Sequence, residues 1–286
     1  MIGVSSYSFG HYFEDLGVKG IMAEAKKMGY EAIEFAELSV VGDHKTELET
    51  AKKYKDYALE TGIKINMFAV GADLIKYQQG GKCIEDEIER IKRKVDVAKV
   101  LGLDKMRHDI AWDYKGGTSL KLFFEVLPVC ANAAREITKY AEQQGIKTMF
   151  ENHGFFVQNA DRVITMLEEV NHPNFGLLLD MGNFVCADDN NLNSVKICAK
   201  YAFHCHAKDF FSKPYDCADE DGWFRSKGGT LLQGCALSEG IINPVRCMEI
   251  LKEQGYKGDI SLEYEGSGDN LAGIKKGYEV LRANWN

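Results

Sequence analysis

Four short stretches in the second half of the chain carry acids and imidazoles where apolar runs end: Glu151-Asn152-His153-Gly154, Asp180-Met181-Gly182-Asn183, His204-Cys205-His206-Ala207-Lys208-Asp209 and Glu263-Tyr264-Glu265. Runs such as Thr148-Met149-Phe150 and Gly176-Leu177-Leu178-Leu179 precede them, so each ionisable group falls at the end of a strand candidate. Strand side chains alternate between faces. His204, His206 and Lys208 therefore share one face, with Phe203, Cys205 and Ala207 on the other; Ser261, Glu263 and Glu265 also point together. Burying Glu151, Asp180 and Glu263 side by side as free anions would be very costly. One divalent cation removes that cost. Three carboxylates and one imidazole make a hard, mostly oxygen site, for which Mn2+ is the expected occupant and Mg2+, Co2+ or Zn2+ are alternatives. Singly, an acid such as Asp180 is as readily a helix cap or salt-bridge partner, and His204 reads better as a core histidine supporting a ligand than as a ligand. Four ligand-type groups on four consecutive strands are harder to explain that way.

Such a cluster needs a scaffold that brings strand ends together. Strand candidates fall at Ile2–Ser6, Ala32–Phe35, Ile63–Phe68, Lys105–His108, Thr148–Asn152, Gly176–Asp180, Ala202–Lys208 and Ile260–Glu265. Helical periodicity falls between and after them, at Lys19–Met28, Lys45–Thr61, Ile84–Leu101, Leu120–Gln144, Ala160–Val170, Leu192–Lys200, Pro244–Gln254 and Leu271–Arg282. Strict alternation calls for a parallel sheet with crossover helices. Eight repeats in 286 residues favour closure into an α/β fold of the (β/α)8 TIM-barrel type, whose usual length is roughly 250 residues. Gly29, Gly62, Gly102, Gly145 and Gly255 each stand between a helix and the next strand, where a left-handed residue is wanted. An open doubly wound sheet would carry a glycine-rich phosphate loop after its first strand; Ser5-Ser6-Tyr7-Ser8-Phe9-Gly10 stands there instead. No linker divides the chain, so residues 1–286 read as a single domain. Asp209–Ile242 lacks a clear period and is expected to be a lid or a substrate loop. Barrel active sites lie at the C-terminal ends of the strands, where all four motifs fall.

Composition narrows the function. The net charge of -8 and the lack of a basic stripe argue against a nucleic-acid partner. No apolar run approaches the ~20 residues of a membrane span, and Met1-Ile2-Gly3-Val4 runs straight into a strand candidate with nothing like a targeting segment. Eight cysteines without CxxC spacing read as free thiols of a cytoplasmic protein.

The motifs resemble those of the xylose isomerase-like barrel superfamily, which includes sugar phosphate isomerases and epimerases, tagatose/psicose 3-epimerases, inosose dehydratases and endonuclease IV-type DNA repair enzymes. The resemblance spans essentially the whole chain. It implies that Glu151, Asp180, His206 and Glu263 match the metal ligands, and that Glu151 and Glu263 match the acid/base pair of the epimerases. Two positions depart: Asn183 stands where many relatives have a histidine, and Leu237-Ser238-Glu239-Gly240 where many have Gly-His-Gly. Glu151-Asn152-His153-Gly154 also resembles the catalytic subunit of bacterial C-glycoside deglycosidases, lyases acting on 3-oxo-glycosides with a small partner subunit; that comparison makes His153 the general base.

The expected chemistry is proton abstraction next to a carbonyl of a small carbohydrate. Returning the proton elsewhere gives a metal-dependent isomerase or epimerase acting on a keto-sugar or sugar phosphate. Expelling a β-substituent gives a lyase. Lys208, Asn183, Trp223, Arg225 and His108 are the candidate substrate contacts. A homo-oligomer is expected, or a hetero-oligomer with a small subunit for a deglycosidase. An endonuclease IV-like enzyme would need more His and Asp ligands and a basic groove than seven histidines and this charge provide. A non-catalytic binding barrel would not need four ligands at one level.

Overall fold

The five glycines between helix and strand all adopt the left-handed backbone, with φ of 108°, 70°, 86°, 74° and 83° at Gly29, Gly62, Gly102, Gly145 and Gly255. Each ends a helix and lets the chain return to the sheet within a few residues. The computed structural model describes residues 1–38, 40, 42–75, 84–111 and 119–285. Within them, β1 (Ile2–Ser5), β2 (Ala32–Ala36), β3 (Lys64–Val70), β4 (Lys105–His108), β5 (Lys147–Glu151), β6 (Phe175–Asp180), β7 (Ala202–Ala207) and β11 (Ile260–Leu262) close into one parallel barrel. Around it lie α1 (Tyr12–Met28), α2 (His44–Thr61), α3 (Ile84–Leu101), α4 (Leu120–Gln143), α5 (Ala160–Val170), α6 (Asn183–Cys186), α7 (Asn191–Cys198), α8 (Pro244–Glu253) and α9 (Asn270–Asn284). This is the expected (β/α)8 barrel.

The differences have local causes. Helix α1 starts earlier than its periodicity suggests, because Gly17, at φ 64°, interrupts it between two helical pieces. The sixth crossover is two helices, α6 and α7, followed by a 3-10 turn. The expected loop Asp209–Ile242 is largely a small antiparallel sheet in the order β8-β10-β9, from β8 (Asp209–Lys213), β9 (Phe224–Arg225) and β10 (Leu231–Cys235). Asp209 closes its base: its carboxylate accepts from the backbone N–H groups of Phe210, Ser238, Gly240 and Ile242. Leu237–Gly240 is thereby tied to the end of the seventh barrel strand.

The main core lies between barrel and helices. A separate apolar layer of Met67, Met149 and Leu178, with Phe203 against it, fills the barrel interior, as barrels of this size require. Phe203 thus does not share a face with Cys205 and Ala207, which belong to the main core. The β6–β7 register explains this, since Leu177 pairs with Ala202 and Leu178 with His204, skipping Phe203. A Cβ on Gly176 would sit 2.6 Å from the Phe203 ring, so a glycine is what lets the ring turn inward. The seven described cysteines are free thiols, six of them buried; Cys83 lies outside the described residues. No helix among the described residues is long and apolar enough to cross a membrane.

Candidate metal centre and active site

Four of the sequence candidates converge. Ligand-type atoms of Glu151, Asp180, His206 and Glu263 all lie within 4.8 Å of one another, at the C-terminal ends of β5, β6, β7 and β11. Each is aimed by its surroundings. Asp180 accepts from the backbone N–H groups of Gly182 and Asn183 through Oδ1, at 2.7 and 2.9 Å, which turns Oδ2 to the centre. Asn152 ties β5 to β6, accepting from Asp180 N and donating to Asp180 O, both at 2.9 Å. Glu151 accepts from Asn183 Nδ2 at 3.0 Å and from the Arg107 guanidinium at 2.5 Å. His206 Nε2 is 2.7 Å from Glu34 Oε1. Its Nδ1 is 3.4 Å from Glu263 and 3.7 Å from both Glu151 and Asp180, without a hydrogen bond to any of them. Lys208 Nζ lies 2.6 Å from Glu263, 3.1 Å from Asp180 and 3.0 Å from Glu265.

The charges are out of balance. Burial pushes the Asp180 carboxyl up to about 7; the Lys208 ammonium works against that, and the neighbouring Glu151 and Glu263 add to it. Burial also opposes ionisation of Glu151 and Glu263. At Glu151 the Arg107 guanidinium and His206 overcome it, at Glu263 Lys208 and His206 do, and both carboxyls stay below the ordinary range. His206 is raised well above an ordinary imidazole, despite burial, by Glu34 and Glu263. Lys208, His206 and Arg107 together still leave Asp180 titrating near neutrality. A divalent cation would supply the missing charge. Bond lengths of about 2.0–2.6 Å are compatible with ligand atoms this far apart. A buried Nδ1 without a hydrogen bond, facing three carboxylates, also fits a cation. The donor set is three oxygens and one nitrogen, the choice of a hard or borderline ion.

The cluster floors a cavity of ≈ 540 Å³. Its lining includes Glu151, His153, Asn183, His206, Arg225 and Glu263 from among the candidates, with Tyr7, Glu34, Arg107, Phe224 and Glu265.

The model of the family described as "Xylose isomerase-like TIM barrel" matches residues 22–284. The chain belongs to this family. No curated protein sequence matches it significantly. Among solved structures, the D-allulose 3-epimerase from Methylomonas sp. in complex with D-allulose is 18% identical, over 99% of this chain and 96% of that one, with a TM-score of 0.74. The probable 3-DHS dehydratase AsbF of Bacillus anthracis is 20% identical over 98% of both chains, with a TM-score of 0.74. A xylose isomerase-like TIM barrel protein from Mycobacterium smegmatis, in complex with magnesium, is 16% identical over 98% of this chain and 94% of its own, with a TM-score of 0.71.

In this xylose isomerase-like barrel, two candidate contacts lie elsewhere. His108 faces the helices: it is fully buried, Nδ1 meets the Asp109 carbonyl, and its ring lies 6.0 Å from that of Phe175. Alternation along β4 turns Arg107 inward in its place. Trp223 does not line the cavity; Lys213 Nζ sits 4.1 Å over its ring, and Phe224 and Arg225 face the cavity. The Arg225 guanidinium is occupied by Asp219 and the carbonyls of Tyr215, Cys217 and Gly229, so it shapes the wall by holding the loop. Lys208 is buried among the acids. Asn183, at the position where many relatives have histidine, donates to Glu151. His153 stands on the wall with Nδ1 3.3 Å from Arg107 and 3.6 Å from Asp109. His204 is not in the four-residue cluster; it meets Glu34 and Ser261.

Arg107 and Glu34 were not anticipated. Glu34 stands between Ile33 and Phe35 and Arg107 between Met106 and His108, and alternation along β2 and β4 would have given the face of each.

Proposed function

We propose that this protein is a divalent-metal-dependent isomerase or epimerase that moves a proton next to the carbonyl of a keto-sugar or sugar phosphate, with Mn2+ as the expected metal. The observation that carries this is the meeting of Glu151 and Glu263, from β5 and the β11 end, at one cluster on one cavity. An epimerase needs two acid/base groups on different sides of the reacting carbon, because the proton leaves one face and returns to the other. Glu151 and Glu263 approach from different strands and both line the cavity. Glu151, Asp180, His206 and Glu263 would hold the metal. When bound, a divalent cation supplies polarisation of the carbonyl and stabilisation of the charge that develops on its oxygen. Asn183 and Arg107 orient Glu151, and Phe224 and Arg225 form part of the wall over the substrate. The epimerase bound to D-allulose among the structural neighbours supports a substrate of this size.

His153 favours a second reading. It presents an imidazole to the same cavity just beyond Glu151, and a single base there would serve a lyase that expels a β-substituent from a 3-oxo-glycoside, together with a small partner subunit. The dehydratase among the neighbours supports elimination chemistry in this fold. Incubation with free keto-sugars and their phosphates in D2O separates the two. A deuterated epimer or isomer supports the first reading. No exchange into free sugars, with release of an aglycone from a 3-oxo-glycoside, overturns it in favour of the second.

A further inference from the structure

Glu34, on β2, is 1% exposed, and both its oxygens are engaged by imidazoles from β7. Oε1 is 2.7 Å from His206 Nε2 and Oε2 is 3.1 Å from His204 Nε2. His204 Nε2 is also 3.0 Å from Ser261 Oγ on β11. Strand β2 is separated from β7 by β1 and β11 in the barrel, so the Glu34 side chain reaches across the interior to meet them. We propose that Glu34 is a positioning residue: it accepts a hydrogen bond from His206 Nε2–H and so presents the bare Nδ1 to a cation held by Glu151, Asp180 and Glu263.

This rests on the reading of those four residues as a metal site. An imidazole that ligates through one nitrogen commonly donates the other N–H to a carboxylate, which fixes both the tautomer and the ring rotation. The His206 ring is buried at 1% exposure; Nδ1 faces the three carboxylates and Nε2 faces Glu34. A rotation that brought Nε2 to the centre would leave Glu34 Oε1 buried without its donor, a substantial penalty. His204, itself met by Ser261 Oγ, engages the far oxygen of the carboxylate, which limits its rotation. Glu34, His204 and His206 also have ligand atoms within 4.8 Å of one another, so a second cation there is the competing account. The 2.7 Å contact is that of a charge-assisted hydrogen bond, which favours positioning.

The test uses Zn2+, a diamagnetic probe, on the metal-stripped full chain. Zn2+ affinity and stoichiometry are measured by competition with a chromophoric chelator for the wild type and Glu34→Gln, and the imidazoles of the Zn2+-loaded proteins are recorded by long-range 1H–15N correlation. The wild type should bind one Zn2+, with His206 ligating through Nδ1 and carrying a slowly exchanging proton on Nε2. Glu34→Gln should still bind one Zn2+, but about 10–100-fold more weakly, with a faster-exchanging Nε2 proton. Unchanged affinity and an unchanged His206 spectrum in Glu34→Gln would overturn the proposal. So would a wild-type stoichiometry of two that falls to one in the variant. If Glu34→Gln does not fold, the wild-type spectrum still decides: ligation of His206 through Nε2 refutes the role of Glu34. A wild type that binds no Zn2+ overturns the metal reading itself and is distinct from all of these.

Discussion

Lys208 gives the sharpest test of the charge balance at the centre. Its ammonium contacts Asp180, Glu263 and Glu265 at 2.6–3.1 Å while only 3% exposed. Lys208→Met removes that charge and keeps most of the volume. Breaking a buried pair in this way costs about 3–5 kcal/mol. The lower end applies, because Asp180 is already pushed up to about 7 and can take a proton. At about 2 °C per kcal/mol, the low end for domains somewhat smaller than this one, the metal-stripped variant should melt about 6 °C below wild type at pH 7. The cation should then recover more in the variant. Lys208 repels a nearby cation, so its removal tightens metal binding, and a ligand at 100 times its Kd stabilises by about 2.7 kcal/mol. Thermal unfolding in EDTA and in Mn2+ should therefore show a larger Mn2+ increment in Lys208→Met than in wild type. An equal or smaller increment would refute the idea that lysine and cation answer the same excess of negative charge.

His206→Ala should lose the metal while His204→Ala keeps one per chain, read by elemental analysis after desalting. His153→Ala should lower kcat at least ~10²-fold with metal content unchanged if the imidazole is a base; an unaffected kcat returns that role to Glu151 and Glu263. Gly176→Ala should cost about 1–3 kcal/mol by overpacking against Phe203, and the added Phe203→Leu should recover part of it in urea unfolding; additive losses would deny the contact. Asp259, 3.1 Å from Lys105, is half-buried: burial opposes its ionisation, but Lys105 and the N-terminal amine hold its carboxyl below the ordinary range. Its stabilisation is therefore present above about pH 4 and lost as pH falls through the folded value. Asp259→Asn should lower Tm at pH 7 by the equivalent of about 1 kcal/mol, with the gap closing in acid; a gap independent of pH would refute it.

The barrel was legible because its signals are local and repeated. A glycine after a helix and an apolar run after the glycine need no tertiary knowledge, and they recur along the chain. The metal-type cluster was legible for a related reason: Glu151, Asp180, His206 and Glu263 each stop an apolar strand in the same way. Glu34 and Arg107 give weaker signals, as charges in short strands whose inward direction matters only once the barrel is closed. His108 shows the opposite error. An imidazole at a strand end suggests chemistry, but a shift of one residue along a strand exchanges cavity for core. Trp223 failed for want of any period, since neighbouring residues of Asp209–Ile242 diverge only when β9 pairs with β10. The skipped register at Phe203 arises between two strands and leaves no mark on either alone.

The four backbone donors gathered by Asp209 make the excursion after the seventh strand a detachable cassette. Its entrance and exit are pinned to one carboxylate two residues beyond the last barrel residue of β7, so the stretch between them can change length or composition while the frame around it stays closed. Phe224 and Arg225, which face the cavity, lie inside the cassette; the acidic cluster lies outside it. One section of the cavity wall and the acidic cluster beneath it are therefore carried by separate parts of the chain, so that section can be exchanged without altering the residues of the cluster.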